Sequence, residues 1–393
     1  MSKTNSLIWR QPGWPQLVAN APGVTAALLK ARQIQGELIG KAKVIGFDQK
    51  GEAAREILFR EVMATSAIEG ELLDALSVRS SVLRKLGMEP PTAGAMGGRH
   101  IDGLVDVIQD ALTGFDQPLD EDRLMRWQSA LFPGGTSGIR RIAVGRYRDH
   151  LDDMQIVSGA PGKEVVHFTA PPSNRVKEEM DAFLQWFAAT RQSHGASSEI
   201  DGILRAAIAH VWFESIHPFE DGNGRIGRAI IDMAMAQDLG TPTRLYSLSS
   251  QLMINRGGYY DALSEAQHGS SDVSEWVQWF ATVFCDACRA SITLIDGAIE
   301  KARFWASHSQ TVLNERQRKV VQRLLDDGDG GFLGGLNAEK YTKMTGASKP
   351  TATRDMAELV RNGMLRTDGL GKAMRYYVVV PGWTHGVNSE SMD

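Results

Sequence analysis

The stretch HPFEDGNGRIGR, residues 217–228, puts a histidine, two acids, two glycines around an asparagine, and two arginines on consecutive positions. Upstream, residues 198–215 carry an apolar helical face through Ile208, Val211, Trp212 and Ser215. Pro218 ends that pattern, because proline cannot continue a helix interior. Downstream, a second helix begins near Arg225 and runs through Ile230, Ile231 and Met233. Gly222, Asn223 and Gly224 therefore open a helix. Glycines there let successive backbone N–H groups converge on one point, an anion hole strengthened by the helix dipole. Arg225 and Arg228 lie three apart on one face near the positive helix end, where two cations gain nothing locally. They make sense as walls of a polyanion site. Asp221, directly before the hole, would weaken a bare anion but assists one that arrives with Mg²⁺. His217 is the only group of the stretch able to take a proton near neutral pH. The set suits a nucleoside triphosphate, its metal, and a base for an incoming hydroxyl. Phe219 reads as a core anchor and Glu220 as a solvent-facing residue. A helix–loop–helix decorated with surface charge explains neither the misplaced arginines nor the paired glycines.

The surrounding chain is ordinary in bulk. It has 393 residues, 42% hydrophobic and 23% charged, which suggests two or three domains. A net charge of −4 gives the whole molecule no electrostatic pull toward nucleic acid or anionic membrane. The start, MSKTNSLIWRQPGW, carries no secretory signal pattern, and no apolar run approaches the roughly 18 residues needed to span a bilayer. Two cysteines, Cys285 and Cys288, are no disulfide framework, and a reducing, cytoplasmic setting follows. Their CDAC spacing lacks a second CxxC and sits in an apolar helical stretch, so both read as core residues.

Helical periodicity predicts helices over 52–69, 72–86, 101–113, 175–193, 198–215, 223–238, 272–306 and 314–326. Breaks fall at 88–98, 132–138 and 326–335, and the final THGVNSESMD reads as a frayed tail. MQIV (154–157) and VVHF (165–168) flank SGAPGKE and predict a β-hairpin, either a surface ornament or an edge for an incoming peptide.

On these residues the chain resembles the Fic-domain proteins, whose motif HxFx[DE]GNGRxxR it matches at every defined position from His217 to Arg228. The likeness extends over roughly 96–300, including the hairpin, which resembles the family's substrate-positioning flap, and 246–267, which resembles its closing helices. The resemblance implies a mainly α fold with a Fic-type helical core. It implies AMPylation: AMP moves from ATP to a Ser, Thr or Tyr hydroxyl of a target protein, and pyrophosphate leaves. His217 is then the general base and Asp221 the Mg²⁺ ligand. Gly222, Asn223 and Gly224 hold the α- and β-phosphates, Arg225 assists, and Arg228 meets the γ-phosphate. Asn255, or Tyr259 and Tyr260, border the nucleoside, with core packing the rival for the tyrosines. The family's Doc-type kinases carry lysine at the second loop glycine, and Gly224 here favours nucleotidyl transfer. A phosphocholine transferase or other nucleotidyl transferase remains the alternative chemistry.

A second motif bears on the first. EAAREILFREVMATSAIE reads as a helix that Gly70 stops in a left-handed conformation, leaving Glu69 at its negative end. A carboxylate there costs on the order of 0.3–1 kcal/mol unless a cation meets it. Thr65-Ser66-Ala67-Ile68-Glu69-Gly70 resembles the family's inhibitory motif [ST]xxxE[GN], placed as in the class whose inhibitory helix is N-terminal in the same chain. The resemblance implies that Glu69 pairs with Arg228, leaving ATP misaligned for in-line attack. In some relatives the same glutamate serves de-AMPylation.

The ends complete the division: 1–95 an N-terminal helical domain, 96–300 the catalytic domain, 301–383 a third domain, and 384–393 the tail. IWRQPGWPQL resembles the start of a domain of unknown function often fused to Fic domains, and Trp9, Trp14 and Pro15 read as packing residues. Residues 301–380 hold fourteen Lys and Arg against eight Asp and Glu. Helices at 314–326, 337–344 and 350–362 followed by a hairpin at 369–372 resemble a winged helix-turn-helix, with Lys349, Arg354 and Arg361 on the recognition helix and Asp355 and Glu358 beside them. DNA contact is one reading and protein docking or a homodimer the other. A nucleotide-sensing DNA-binding regulator is the non-enzymatic rival, against which the intact His217 argues.

Overall fold

The computed structural model describes residues 7–44, 51–89, 98–158, 165–191, 200–330 and 332–383. The turn of the predicted flap (159–164), most of the break at 88–98, and the tail 384–393 lie outside the described residues. The chain divides into two compact units, 1–292 and 293–393.

The first unit is built around two helices. Helix α1 spans Pro22–Val44, α2 Glu52–Ile68, α3 Ala75–Lys85, α4 Arg99–Thr113, α5 Glu121–Leu131, α6 Val176–Ala189, α7 Gly202–Ile216, α8 Asn223–Leu239, α9 Leu248–Ile254 and α10 Arg256–Gln267, and α11, Ser274–Ser307, begins in this unit and continues past its boundary. Helix α7 is buried at every position but Leu204, and α8 nearly so. A helix apolar on all sides can only sit at the centre of the fold. Around this pair, α2, α4 and α5 pack on α8, α6 and α10 on α7, and α9 on α2. Most of the predicted helices are present, displaced by a few residues at most at their ends. Helices α1 and α5 are additions. Their buried faces include Gln35 on α1 and Arg123 and Gln128 on α5, so an apolar count passes over them. Arg32 ties α1 to the central pair, donating to Asp201, the N-cap of α7, at 2.7 Å and to Asp238 near the end of α8.

Two hairpins accompany these helices. Strand β1 (Thr136–Ser137) pairs with β2 (Arg140–Arg141), in a place read from sequence only as a break. Strand β3 (Gln155–Ser158) pairs with β4 (Val165–Thr169), as expected. The indole of Trp9 donates to Thr169 O at 2.8 Å, and that of Trp14 to Glu179 on α6 at 2.7 Å. Cys285 and Cys288 are buried in α11, and no group of three or more metal-ligating side chains occurs among the described residues.

The second unit contains α12 (Glu315–Asp327), α13 (Ala338–Thr345), α14 (Lys349–Arg361) and a hairpin of β5 (Leu365–Asp368) with β6 (Arg375–Val378). Leu336, between α12 and α13, bridges to Tyr376 as a one-residue third strand. Asp355 and Glu358, read from sequence as lying beside the basic residues of α14, are engaged by neighbouring elements instead. Asp355 is 4% exposed and accepts from Arg316 and Tyr341, while Glu358 accepts from Gln317 on α12. Helix period places Asp355 inward, since 355, 356 and 359 share the stripe that faces the core.

Candidate active site

The loop between α7 and α8 is held from below. His217 ends α7 in the left-handed region, φ 50°, the only non-glycine residue among those described with positive φ. That conformation is strained for a side chain and persists only where surroundings enforce it. Arg148 supplies the enforcement: its guanidinium is buried and donates to the carbonyls of His217 (2.8 Å), Ile216 (3.2 Å) and Pro171 (2.6 Å), and its N–H to Pro218 O. Phe219 is fully buried against Tyr147, as expected of an anchor. Asn223 closes the loop with both ends of its amide, accepting from Phe219 N at 2.9 Å and donating to Phe219 O at 2.8 Å. Its side chain is thereby spent inside the protein, and what it offers an anion is its backbone N–H.

Gly222 caps α8 with φ 91°, and a Cβ there would stand 2.9 Å from the ring of Phe132. The first turn of α8 leaves its N–H groups without intrahelical partners, the expected source of an anion hole. Asp221 lies at the lip, where its carboxylate accepts from Ser137 of β1 and faces Arg225 at 3.4 Å. Arg225 also meets Glu71 at 3.4 Å and stacks over Phe132. Glu220 is not solvent-facing: its side chain is 16% exposed and Arg140 of β2 stands 3.6 Å away. The short hairpin that covers it carries no alternating pattern that sequence reading could detect.

The inhibitory-motif residues meet Arg228. Glu69 Oε1 accepts from Arg228 Nη2 at 2.6 Å, Thr65 Oγ1 from Nε at 2.7 Å, and Thr65 O from Nη2 at 3.0 Å. Gly70, φ 81°, ends the turn as read. Burial alone would lower the pKa of Arg228, but Glu69 reverses the sign and raises it. A Cβ on Gly224 would lie 2.2 Å from Glu69 Oε1 and 3.1 Å from Arg228 Nη1. The carboxylate therefore rests against the bare backbone of the loop's second glycine. His217 is neutral, since burial first and Arg148 second depress its pKa to about 4.

Two further contacts anchor α2. Tyr260 donates to Ile68 O at 3.1 Å, and Glu61, 2% exposed, accepts from Ser247 Oγ (2.8 Å), Ser249 N (3.2 Å) and Ser249 Oγ beside Arg244. Sequence reading missed Glu61, which looks like any helix-surface acid. Tyr259 is buried and meets His210 Nε2 at 2.8 Å, which is core packing. Asn255 lies exposed at the junction of α9 and α10, and no hydrogen bond among the described residues joins it to the loop.

Residues 118–235 match the family model described as Fic/DOC family, and residues 7–88 match that of a domain of unknown function, DUF4172. A probable protein adenylyltransferase of Aquifex aeolicus is 31% identical over 108 residues, 28% of this chain and 29% of that protein. The protein adenylyltransferase Fic of Nematostella vectensis is 23% identical over 297 residues, 70% of this chain and 61% of its own. The chain thus spans less than two thirds of either relative. A crystal structure of a Fic family protein from Desulfovibrio desulfuricans superposes with a TM-score of 0.53 at 19% identity, covering 92% of this chain and 97% of that one, and shares the fold.

Proposed function

Because this chain carries a Fic/DOC family domain, we propose that it is a self-restrained protein nucleotidyltransferase that moves AMP from ATP to a Ser, Thr or Tyr hydroxyl of a target protein. The observation that carries the reading is a neutral His217 beside a helix N-terminus flanked by Arg225 and Arg228. The target hydroxyl gives its proton to Nε2 of His217 as its oxygen bonds to the α-phosphorus. The bond from that phosphorus to the bridging oxygen breaks, and pyrophosphate leaves. The N–H groups of the first turn of α8 hold the phosphate oxygens, and a helix dipole favours the charge that builds there. Arg225 and Arg228 neutralise the leaving group.

Mg²⁺ fits this site through Asp221, the carboxylate at the lip whose side chain is 37% exposed. One protein carboxylate suits a cation that keeps several waters and takes its other ligands from phosphate. When bound it neutralises phosphate charge. Ser137 and Arg225 hold Asp221 in place. Glu69 restrains the reaction by occupying Arg228, so that the γ-phosphate loses its partner and the α-phosphate its alignment.

Labelled ATP tests the reading. Label on the α-phosphate should enter protein, label on the γ-phosphate should not, and His217→Ala should abolish transfer. Entry of γ-label would replace nucleotidyl by phosphoryl transfer. For the second unit, the engagement of Asp355 and Glu358 by neighbouring elements leaves Lys349, Arg354 and Arg361 exposed on α14. That charge supports DNA contact in the manner of a winged helix-turn-helix.

A further inference from the structure

Glu214 stands three residues before His217 on α7, is 5% exposed, and has no part in the mechanism so far. Its Oε2 lies 3.7 Å from His217 Nδ1, and the Glu214 backbone carbonyl faces the same nitrogen. Glu214 Oε1 and His217 Nδ1 are both buried without a side-chain hydrogen-bond partner. Leaving the Glu214 oxygen unpaired costs roughly 1–3 kcal/mol, which a purely structural residue has no reason to incur. Room for the carboxyl is made deliberately. A Cβ on Gly227 of α8 would lie 2.5 Å from Glu214 Oε1 and 3.1 Å from the ring of His210.

We infer that Glu214 is a positioning residue for His217: its carboxyl and carbonyl hold the ring in the tautomer that leaves Nε2 open, and its carboxylate meets the imidazolium formed when the ring takes the target's proton. The inference rests on the nucleotidyl-transfer reading for its chemistry. It extends that reading by giving Glu69 a second effect. The groups that face Glu214 are Glu69 at the end of α2, Arg228 on α8, Tyr259 on α10, and His210 and His217. Burial first and Glu69 second raise the Glu214 carboxyl, Arg228 lowers it, and together they bring it to about 8. With Glu69 seated on Arg228, the carboxyl is protonated at neutral pH and cannot stabilise a neighbouring cation. When Glu69 leaves, an anion that raises both groups is withdrawn, so Glu214 ionises and, at 3.7 Å from Nδ1, replaces the more distant Glu69 as the anion that supports a proton on His217. The same displacement thus opens the phosphate site and arms the base. Orientation of a histidine by a buried acid is the general logic of nucleophile–base–acid arrangements.

The test compares the wild-type protein, Glu69→Gly, Glu214→Gln and the double variant. Carboxyl carbon and imidazole nitrogen NMR titrations give the midpoints of Glu214 and His217. Labelling from α-labelled ATP gives KM and the maximal rate. The Glu214 midpoint should fall by at least one pH unit in Glu69→Gly. The His217 midpoint should rise with it and drop back in the double variant, whose maximal rate should fall at least tenfold at unchanged KM for ATP. Should Glu214→Gln fold poorly, Glu214→Asp, which shortens the reach, should lower the His217 midpoint likewise. A Glu214 midpoint indifferent to Glu69, or a His217 midpoint indifferent to Glu214, overturns the inference. Failure of every variant to take α-label instead overturns the nucleotidyl reading and leaves the two titrations to decide the coupling.

Discussion

Glu69 and Arg228 are joined at 2.6 Å, with the carboxylate lying against the space where Gly224 has no side chain. One short contact therefore takes up a cation and a stretch of exposed backbone together. Glu69→Gly should raise self-labelling from ATP by about tenfold or more, equivalent to about 1.4 kcal/mol of barrier. Arg228→Ala in the same chain should cancel the gain. Because Glu69 is one-third exposed, the loss of the pair should lower stability by only about 1 kcal/mol, well below the 3–5 kcal/mol of a fully buried pair. Equal labelling of wild type and Glu69→Gly would sink the restraint.

Glu61 should matter as much to α2 as Glu69 does, though it lies two turns away. Glu61→Ala leaves the buried Arg244 with Asp232 alone and removes the acceptor for Ser247 and Ser249. Chemical unfolding should show a loss of about 3 kcal/mol. Below that transition, labelling should also rise, since α2 is then less firmly seated. A variant that is destabilised without any rise would make Glu61 a core residue only.

Acid should weaken the first unit through its histidines. Burial depresses His210 to about 3 and His217 to about 4, each below the ordinary 6.5. Both groups bind protons in the unfolded chain below pH 6.5 and stay neutral in the native state. On unfolding these two histidines take up protons between about pH 6.5 and 4, which lowers stability as pH falls, whereas Glu214 and Asp232, raised by burial to about 8 and about 7, release protons and offset that loss. Urea midpoints against pH for wild type and His210→Gln should differ in slope by about one proton across that window, the histidine's own share. A slope unchanged by that substitution would place the acid sensitivity elsewhere.

The second unit separates fold from surface. Asp355→Ala strands Tyr341 and Arg316 and should cost about 2 kcal/mol in its unfolding. Arg354→Ala should leave stability within about 0.5 kcal/mol. If α14 contacts DNA, Arg354→Ala should also weaken retention on DNA and reduce the salt slope by about 1. Binding that is absent in the parent protein at low salt removes the DNA reading.

What sequence could reveal follows from how local each interaction is. The loop from His217 to Arg228 was legible because its chemistry lies within one turn and the next helix start. Central helices α7 and α8 were legible for the same reason, through periodicity alone. Arg148, Glu61 and Glu214 were not. Arg148 acts on a carbonyl 69 positions away, and Glu61 on a serine 188 positions away, so nothing nearby marks either one. Glu214 sits on a helix with no polar face to flag it as unusual. Glu220 was misread because β1 and β2, two residues each, leave no pattern to read. Asn223 was placed in the loop correctly, but its amide proved to be an internal brace.

Trp9 and Trp14 fasten β4 and α6 to the same stretch of chain that leads into α1. If Glu69 restrains the site as proposed, restraint and β4 are parts of one polypeptide, so their local concentration around the loop does not change with expression level or dilution. A soluble inhibitor would lose its grip in a dilute cell extract. A restraint by Glu69 would be relieved only by something that competes for its contacts, such as a binding partner, a covalent mark or a cut.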